Sequence, residues 1–390
     1  MTRPTVLICM DYYLPGVKAG GTITTIRNLV AWLGGDYVFR IVTADRDLGD
    51  AEPFQGIETE VWTQSPAGRV YYMSPARAGV GRFVEILRET RPDCLYLNSY
   101  WSRRCTLFSL IARRRVAPDL PLILAPRGEF AASALALKPR RKQLYRAALQ
   151  ASGLTRSALW QASSDYEAAD IRLVIGAQAS IRIAPDLVAP LQPLLPHRPK
   201  TAGRLALALL SRISPMKNIE GAIAMLSSLR GQVELSIYGP EEDADYARLC
   251  RQAAEALPEN ASVRFAGVLP PEAVPAALAS ADAFLLPSRG ENFGHVILEA
   301  LGAGTPVVIS DRTPWRGLRA QGVGWDLPLE RPERFTEVLQ QLTDLDEATH
   351  ARLRAAARRY AEAVEREDWR LQANRTLFER ALSGSRRSSA

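Results

Sequence analysis

Apolar and polar positions alternate along this chain in two long rhythms separated by a proline-rich stretch. In the first, short apolar or β-branched runs recur near 5–10, 37–43, 69–73, 93–97, 120–125, 157–161 and 180–184. Segments with helical spacing fall between most of them, at 22–33, 80–90, 102–114 and 138–151. Strands separated by helices of this length predict βαβ units and a parallel sheet. The stretch 185–203 then places prolines at 185, 190, 193, 196 and 199, which disfavour helix and sheet interior alike, and it reads as a linker. Afterwards the rhythm restarts, with strands predicted near 204–211, 233–238, 262–266, 282–286 and 306–309. The expected fold class is α/β: two doubly wound Rossmann-like domains, over about 1–190 and 191–368, facing a cleft. From Trp369 the chain reads as helical and is expected to return to the first domain. Open α/β sheets bind ligands at the carboxyl ends of their strands, so the chemistry is sought in those loops.

Composition narrows the class. The 390 residues are 47% hydrophobic and 23% charged, as in globular proteins with large cores. Collagen, disordered chains, disulfide-stapled miniproteins and multi-span membrane proteins are excluded. No run approaches the ~20 apolar residues needed to cross a bilayer. The apolar run after the start is too short for a signal-peptide core, and the four cysteines form no CxxC pair. A reducing, cytoplasmic setting is expected, and 383–390 reads as a frayed tail. The net charge of +7 is uneven: residues 1–200 hold 26 Lys and Arg against 17 Asp and Glu, the remainder 23 against 25.

The most informative segment is 285–311. A strand runs into a glycine-containing loop, and a helix is predicted to start near Asn292 and Phe293. Glu291 sits in the loop and Glu299, with seven residues between them, is placed on the helix, roughly 12 Å apart along the axis at 1.5 Å per residue. Two carboxylates so separated cannot share a proton. They can hold two ends of an extended ligand, while the helix N-terminus between them offers N–H groups to an anion. A nucleotide diphosphate-sugar has that layout. The plainer reading is a capping Glu291 and a solvated Glu299.

Two further loops follow strands and precede helices. The loop 211–217 carries Arg212 and Lys217, in the usual place for cations that clamp phosphates. The loop 12–22 ends in Gly20 and Gly21, which let a backbone approach a ligand closely. The loop 12–22 lacks the Gly-x-Gly-x-x-Gly dinucleotide fingerprint, and elsewhere Gly302 and Gly304 are followed by Val307 where a third glycine is required.

Together these three blocks resemble the family-4 glycosyltransferases of the GT-B fold, over nearly the whole chain. The resemblance implies sugar transfer from a UDP- or GDP-linked donor, with retention of configuration, to a saccharide or lipid-linked acceptor. It implies that Glu291 lies by the donor sugar, Glu299 binds the ribose, and Arg212 and Lys217 neutralise the departing diphosphate. Gly20, Gly21, Asn292, Phe293 and Gly294 would help hold the donor. Where many relatives carry a histidine after the strand at 120–125, this chain has Arg127 and Glu129, a candidate sugar or phosphate contact and a candidate base. No protein base is strictly required if the leaving phosphate takes the acceptor proton. The acceptor is expected on the first domain, with closure about 185–203 assembling the site. A nucleotide-sugar isomerase or epimerase of the same fold, or a non-catalytic nucleotide-sugar-binding protein, are the alternatives.

No cofactor or metal ion is called for. The pair Asp45 and Asp47 could hold a divalent cation on a diphosphate, but loop aspartates more commonly build turns. Basic runs at 103–104, 113–115 and 138–142 first suggest nucleic acid, yet no recognition module or basic–aromatic interleaving accompanies them. An anionic membrane surface, met by a basic amphipathic helix over 140–149, is the expected alternative to a merely solvated face.

Overall fold

A computed structural model of the protein describes residues 3–65, 68–136 and 138–386. The described chain divides into two compact units: residues up to Leu187 together with those from Asp368 onward, and Val188–Glu367.

The first unit is built on β1 (Thr5–Cys9), β2 (Val38–Ala44), β3 (Trp62–Ser65), β4 (Gly68–Met73), β5 (Cys94–Asn98), β6 (Leu122–Ala125), β7 (Ala158–Ala162) and β8 (Ile181–Ile183). Their order is β3-β4-β2-β1-β5-β6-β7-β8, parallel except for β3, which pairs antiparallel with β4. β1, β5, β6 and β7 bury nearly every residue. Such continuous apolar runs, rather than alternation, mark strands covered on both faces. The order reverses direction between β1 and β5. The helix Asp368–Arg386 packs on this unit: Phe378 stacks against Tyr37, Phe39 and Tyr96, and Asn374 Nδ2 donates to the Pro185 carbonyl.

The second unit carries β9 (Arg204–Leu210), β10 (Gln232–Tyr238), β11 (Ala261–Gly267), β12 (Ala283–Leu286), β13 (Val307–Ser310) and β14 (Gly324–Leu327). All ladders are parallel, in the order β11-β10-β9-β12-β13-β14, and the direction reverses between β9 and β12. This is the doubly wound order, whose ligands sit at the reversal.

Several expectations change. The stretch 185–203 is not a free linker. Asp186 accepts from the Thr25 hydroxyl, Asn28 Nδ2 donates to the Leu187 carbonyl, and Glu365 accepts the Leu191 N–H. Prolines keep the segment out of a ladder, but its side chains and backbone find other partners. The helix expected over 102–114 begins as a π-turn, Arg103–Leu107, before the helix Phe108–Val116. β3 and β14 are short edge strands that the apolar pattern did not mark. The tail expected over 383–390 is helical to Arg386, and 387–390 lie outside the described residues. All four cysteines are buried thiols, and burial pushes Cys9 and Cys94 up to about 12, so they are inert core residues.

Candidate functional site

In the second unit, the loops after β9 and β12 emerge side by side at the reversal point. The first passes through a 3₁₀ turn, Pro215–Lys217, and Asn218 in the left-handed region (φ 53°) before the helix Ile219–Ala224. The second is fastened to it: Arg289 N–H donates to the Met216 carbonyl at 2.8 Å, and the buried Ser288 hydroxyl donates to the same oxygen at 3.2 Å. This clamp sets Lys217 Nζ 2.6 Å from Glu291 Oε1, with only 13% and 12% of the side chains exposed.

The other predicted residues distribute unevenly. Arg212 does not join that pair; its guanidinium is bonded to Glu242 in the loop after β10, with 34% and 36% exposure. Ile213 forms a bridge with Glu241, and the Ile213 N–H donates to the Pro240 carbonyl, which draws the two loops together. Gly239 makes that approach feasible, since a Cβ there would lie 1.9 Å from the Ser211 carbonyl oxygen. The helix expected from Asn292 instead spans His295–Gly302. Gly294 caps it in the left-handed region (φ 77°), where a side chain would also strike Ile297. Glu291 lies in the loop, as expected, but ahead of a helix that starts only at His295, so the 1.5 Å rise does not measure its separation from Glu299. Glu299 is half-buried on the helix itself. Trp315, which the sequence reading did not single out, fixes the loop: its Nε1–H donates to the Phe293 carbonyl at 2.6 Å and its ring packs on Phe293. Only the aromatic character of Trp315 and its place after β13 could have flagged it.

In the first unit the loops after β1, β5 and β6 meet at the other reversal point. Gly20 caps the helix Gly21–Leu33 at φ 72°, ψ −136°, a conformation for glycine, and open space surrounds the place a Cβ would take. The Asp47 carboxylate builds that loop by accepting the N–H groups of Val17 (2.7 Å) and Lys18 (3.1 Å), and Asp45 is paired with Arg46 at 2.8 Å. Both aspartates are thus engaged in turn construction.

Arg127, a candidate sugar or phosphate contact from the sequence, has a side chain 7% exposed, bonded to Asp186 at 2.7 Å, Asn98 at 3.0 Å and the Tyr96 hydroxyl. Five donors in a buried guanidinium demand internal acceptors, and these fill the role. Glu129 faces a different setting. Its carboxylate accepts the Ser99 hydroxyl at 2.6 Å and the Tyr100 N–H at 2.5 Å, beside Asp11, which accepts the Ser102 hydroxyl at 2.7 Å. Burial outweighs those bonds and pushes Glu129 up to about 7. Glu129 is therefore poised to exchange a proton near neutral pH.

Residues 198–360 match the model of the glycosyl transferases group 1, and residues 20–185 match a glycosyl transferase 4-like domain. The chain belongs to this glycosyltransferase family. A phosphatidyl-myo-inositol mannosyltransferase of Mycobacterium leprae is 33% identical over 166 residues, 40% of this chain and 42% of that relative. The chain thus spans less than half the length of that relative. An alpha-monoglucosyldiacylglycerol synthase of Streptococcus pneumoniae is 26% identical over 322 residues, 76% of this chain and 69% of the relative. HepE of Anabaena, solved in complex with UDP-glucose, is 16% identical and superposes with a TM-score of 0.70 over 98% of this chain and 100% of its own. Likeness at that identity shows the shared two-domain α/β fold of the GT-B glycosyltransferases.

Proposed function

We propose that the protein transfers a sugar from a nucleotide-sugar, UDP- or GDP-linked, to a saccharide or lipid-linked acceptor, with retention of configuration. The observation that carries this reading is the Lys217–Glu291 pair at the reversal point of the second sheet. In the reaction the bond from the anomeric carbon to the diphosphate breaks and a bond to the acceptor oxygen forms. The acceptor proton passes to the leaving phosphate. Negative charge grows on the diphosphate, and a cation fixed beforehand stabilises it without reorganising. Lys217, held by Glu291, supplies that cation; Arg212, partly exposed, can leave Glu242 for the same phosphates. Glu291 lies against the sugar, Glu299 takes the ribose, and Asn292, Phe293 and Gly294 supply backbone contacts. Gly20 and Gly21, in the first unit, let a backbone approach a ligand closely.

Support for a lipid-linked acceptor comes from two sides. Both relatives carry a lipid in their names, phosphatidyl-myo-inositol in one and monoglucosyldiacylglycerol in the other. The helix Pro139–Ser152 exposes Arg140, Arg141 and Leu144, the last at 74%, a basic face with an apolar residue suited to an anionic membrane surface. Two members of the basic runs do not contribute: Arg113 is buried against the Leu120 carbonyl, and Lys142 donates to the Ala134 carbonyl over the Trp101 ring. No helix among the described residues is long and apolar enough to cross a membrane; on this reading the basic face docks peripherally at the cytoplasmic side.

The test is release of nucleoside diphosphate from a panel of nucleotide-sugars, with and without acceptor lipid extract and with and without EDTA. Acceptor-dependent release from one donor supports the reading. Donor interconversion without acceptor indicates the isomerase, and binding without turnover the non-catalytic protein.

A further inference from the structure

In the second unit, away from the loops described above, His197, Asp282 and His350 converge at the amino-terminal edge of the sheet. One ligand-capable atom from each lies within 4.8 Å of the other two. The three come from separate stretches: the irregular segment before β9, the residue preceding β12, and the helix Glu347–Glu365.

The ring nitrogens are already sorted. His197 Nδ1 meets the Ala279 carbonyl at 2.9 Å, and His350 Nε2 meets the Asp282 carbonyl at 2.8 Å. A carbonyl oxygen only accepts, so these two nitrogens carry the protons. In a neutral imidazole the other nitrogen is then a bare lone pair. Those atoms, His197 Nε2 and His350 Nδ1, are closed off from water and have no hydrogen-bond partner. His350 is fully buried, and its ring centroid lies 5.3 Å from that of His197. A backbone carbonyl behind the ring is the usual support of a metal-ligating histidine. The Asp282 carboxylate is likewise oriented, with Oδ2 accepting the Ala206 N–H at 2.8 Å and standing 3.8 Å from the Lys200 ammonium.

We propose that His197, Asp282 and His350 form a site for a divalent transition ion of the zinc class, with water completing its coordination. Two imidazole nitrogens and one carboxylate oxygen suit zinc, whereas magnesium and calcium favour oxygen alone. The ion would fasten the segment before β9 and the long helix to the root of β12. It is a structural site, because it sits at the opposite end of the strands from Lys217 and Glu291.

The test is titration of the untagged full chain with Co²⁺, followed by visible absorption, then displacement by Zn²⁺ and thermal melting. The expected result is one equivalent bound with the strong absorption of low-coordinate cobalt, lost on adding zinc, and a raised melting temperature that EDTA reverses. His197→Ala and His350→Gln should each weaken cobalt binding at least tenfold, while His295→Ala, the third histidine, leaves it unchanged. If His350→Gln does not fold, His197→Ala decides, since that ring is only partly buried. Absence of stoichiometric uptake overturns the site and assigns the two lone pairs to a bridging water. Uptake that survives His197→Ala overturns it equally.

Discussion

Lys217 Nζ lies 2.6 Å from Glu291 Oε1, and the two residues are 74 positions apart in sequence. Each reaches the pair from a loop at the end of a different strand, so the contact exists only because β9 and β12 are neighbours.

If this pair holds a fixed cation for the leaving diphosphate, Lys217→Ala should lower turnover by about 10²–10³-fold. The stability loss should be only about 1–3 kcal/mol, the consequence of leaving one partner unsatisfied. Diphosphate release and urea melts measure the two effects. A Lys217→Ala/Glu291→Ala double variant should lose far less than the product of the singles, because both act through one contact.

Arg212 and Glu242 form a half-exposed pair, and such pairs contribute about 0–1 kcal/mol. Glu242→Gln should therefore leave the melting temperature nearly unchanged and should not weaken UDP or GDP binding. Arg212→Ala should weaken it and flatten its salt dependence. Calorimetric titration at two ionic strengths distinguishes the variants. Equal losses from both would show that Arg212 serves the loop rather than the ligand.

Glu129 should titrate near pH 7 rather than in the usual carboxylate range, because burial favours its neutral form. The folded value lies above the unfolded one, so the group's contribution to stability declines from about pH 4.5 to pH 7 and is level beyond. Infrared spectra should show a protonated carboxyl band at pH 5.5 that fades through pH 7 and is missing in Glu129→Gln. If Glu129 serves as the acceptor's base, turnover should rise over the same interval.

Gly239→Ala should destabilise the second unit by about 3 kcal/mol or more, since the new Cβ would meet the Ser211 carbonyl in a strained backbone (φ 140°). Gly20→Ala, with open space around it at φ 72°, should cost about 1–2 kcal/mol. Thermal melts of the two variants check the ordering.

Reversing Arg140 and Arg141 to glutamate should weaken binding to anionic vesicles by about 30-fold or more, at ~1 kcal/mol per basic residue near the surface. Sedimentation with phosphatidylglycerol vesicles measures this, and neutral vesicles should bind neither protein.

Much of the architecture was legible in one dimension. The uninterrupted apolar runs of β1, β5, β9 and β12 announce strands buried on both faces, and intervening helical spacing leaves a parallel sheet as the outcome. The proline cluster announced where the second rhythm begins. The loops that carry Arg212, Lys217 and Glu291 were legible because loops at strand ends are where such sheets keep their chemistry.

Which of those side chains meet was decided by tertiary structure alone. Lys217 and Arg212 sit five residues apart, yet one is clamped to Glu291 and the other to Glu242, because the clamp through Ser288, Arg289 and Met216 reaches only the far end of the loop. Arg127 has the same composition signal as any loop arginine. Its burial among Asp186, Asn98 and Tyr96 depends on chain segments up to 59 residues away. The same holds for His197, Asp282 and His350, which share no motif and no local spacing. A sequence records strand, helix and loop through short-range periodicity, whereas a pairing across a sheet is set by strand order, and strand order is a property of the folded chain.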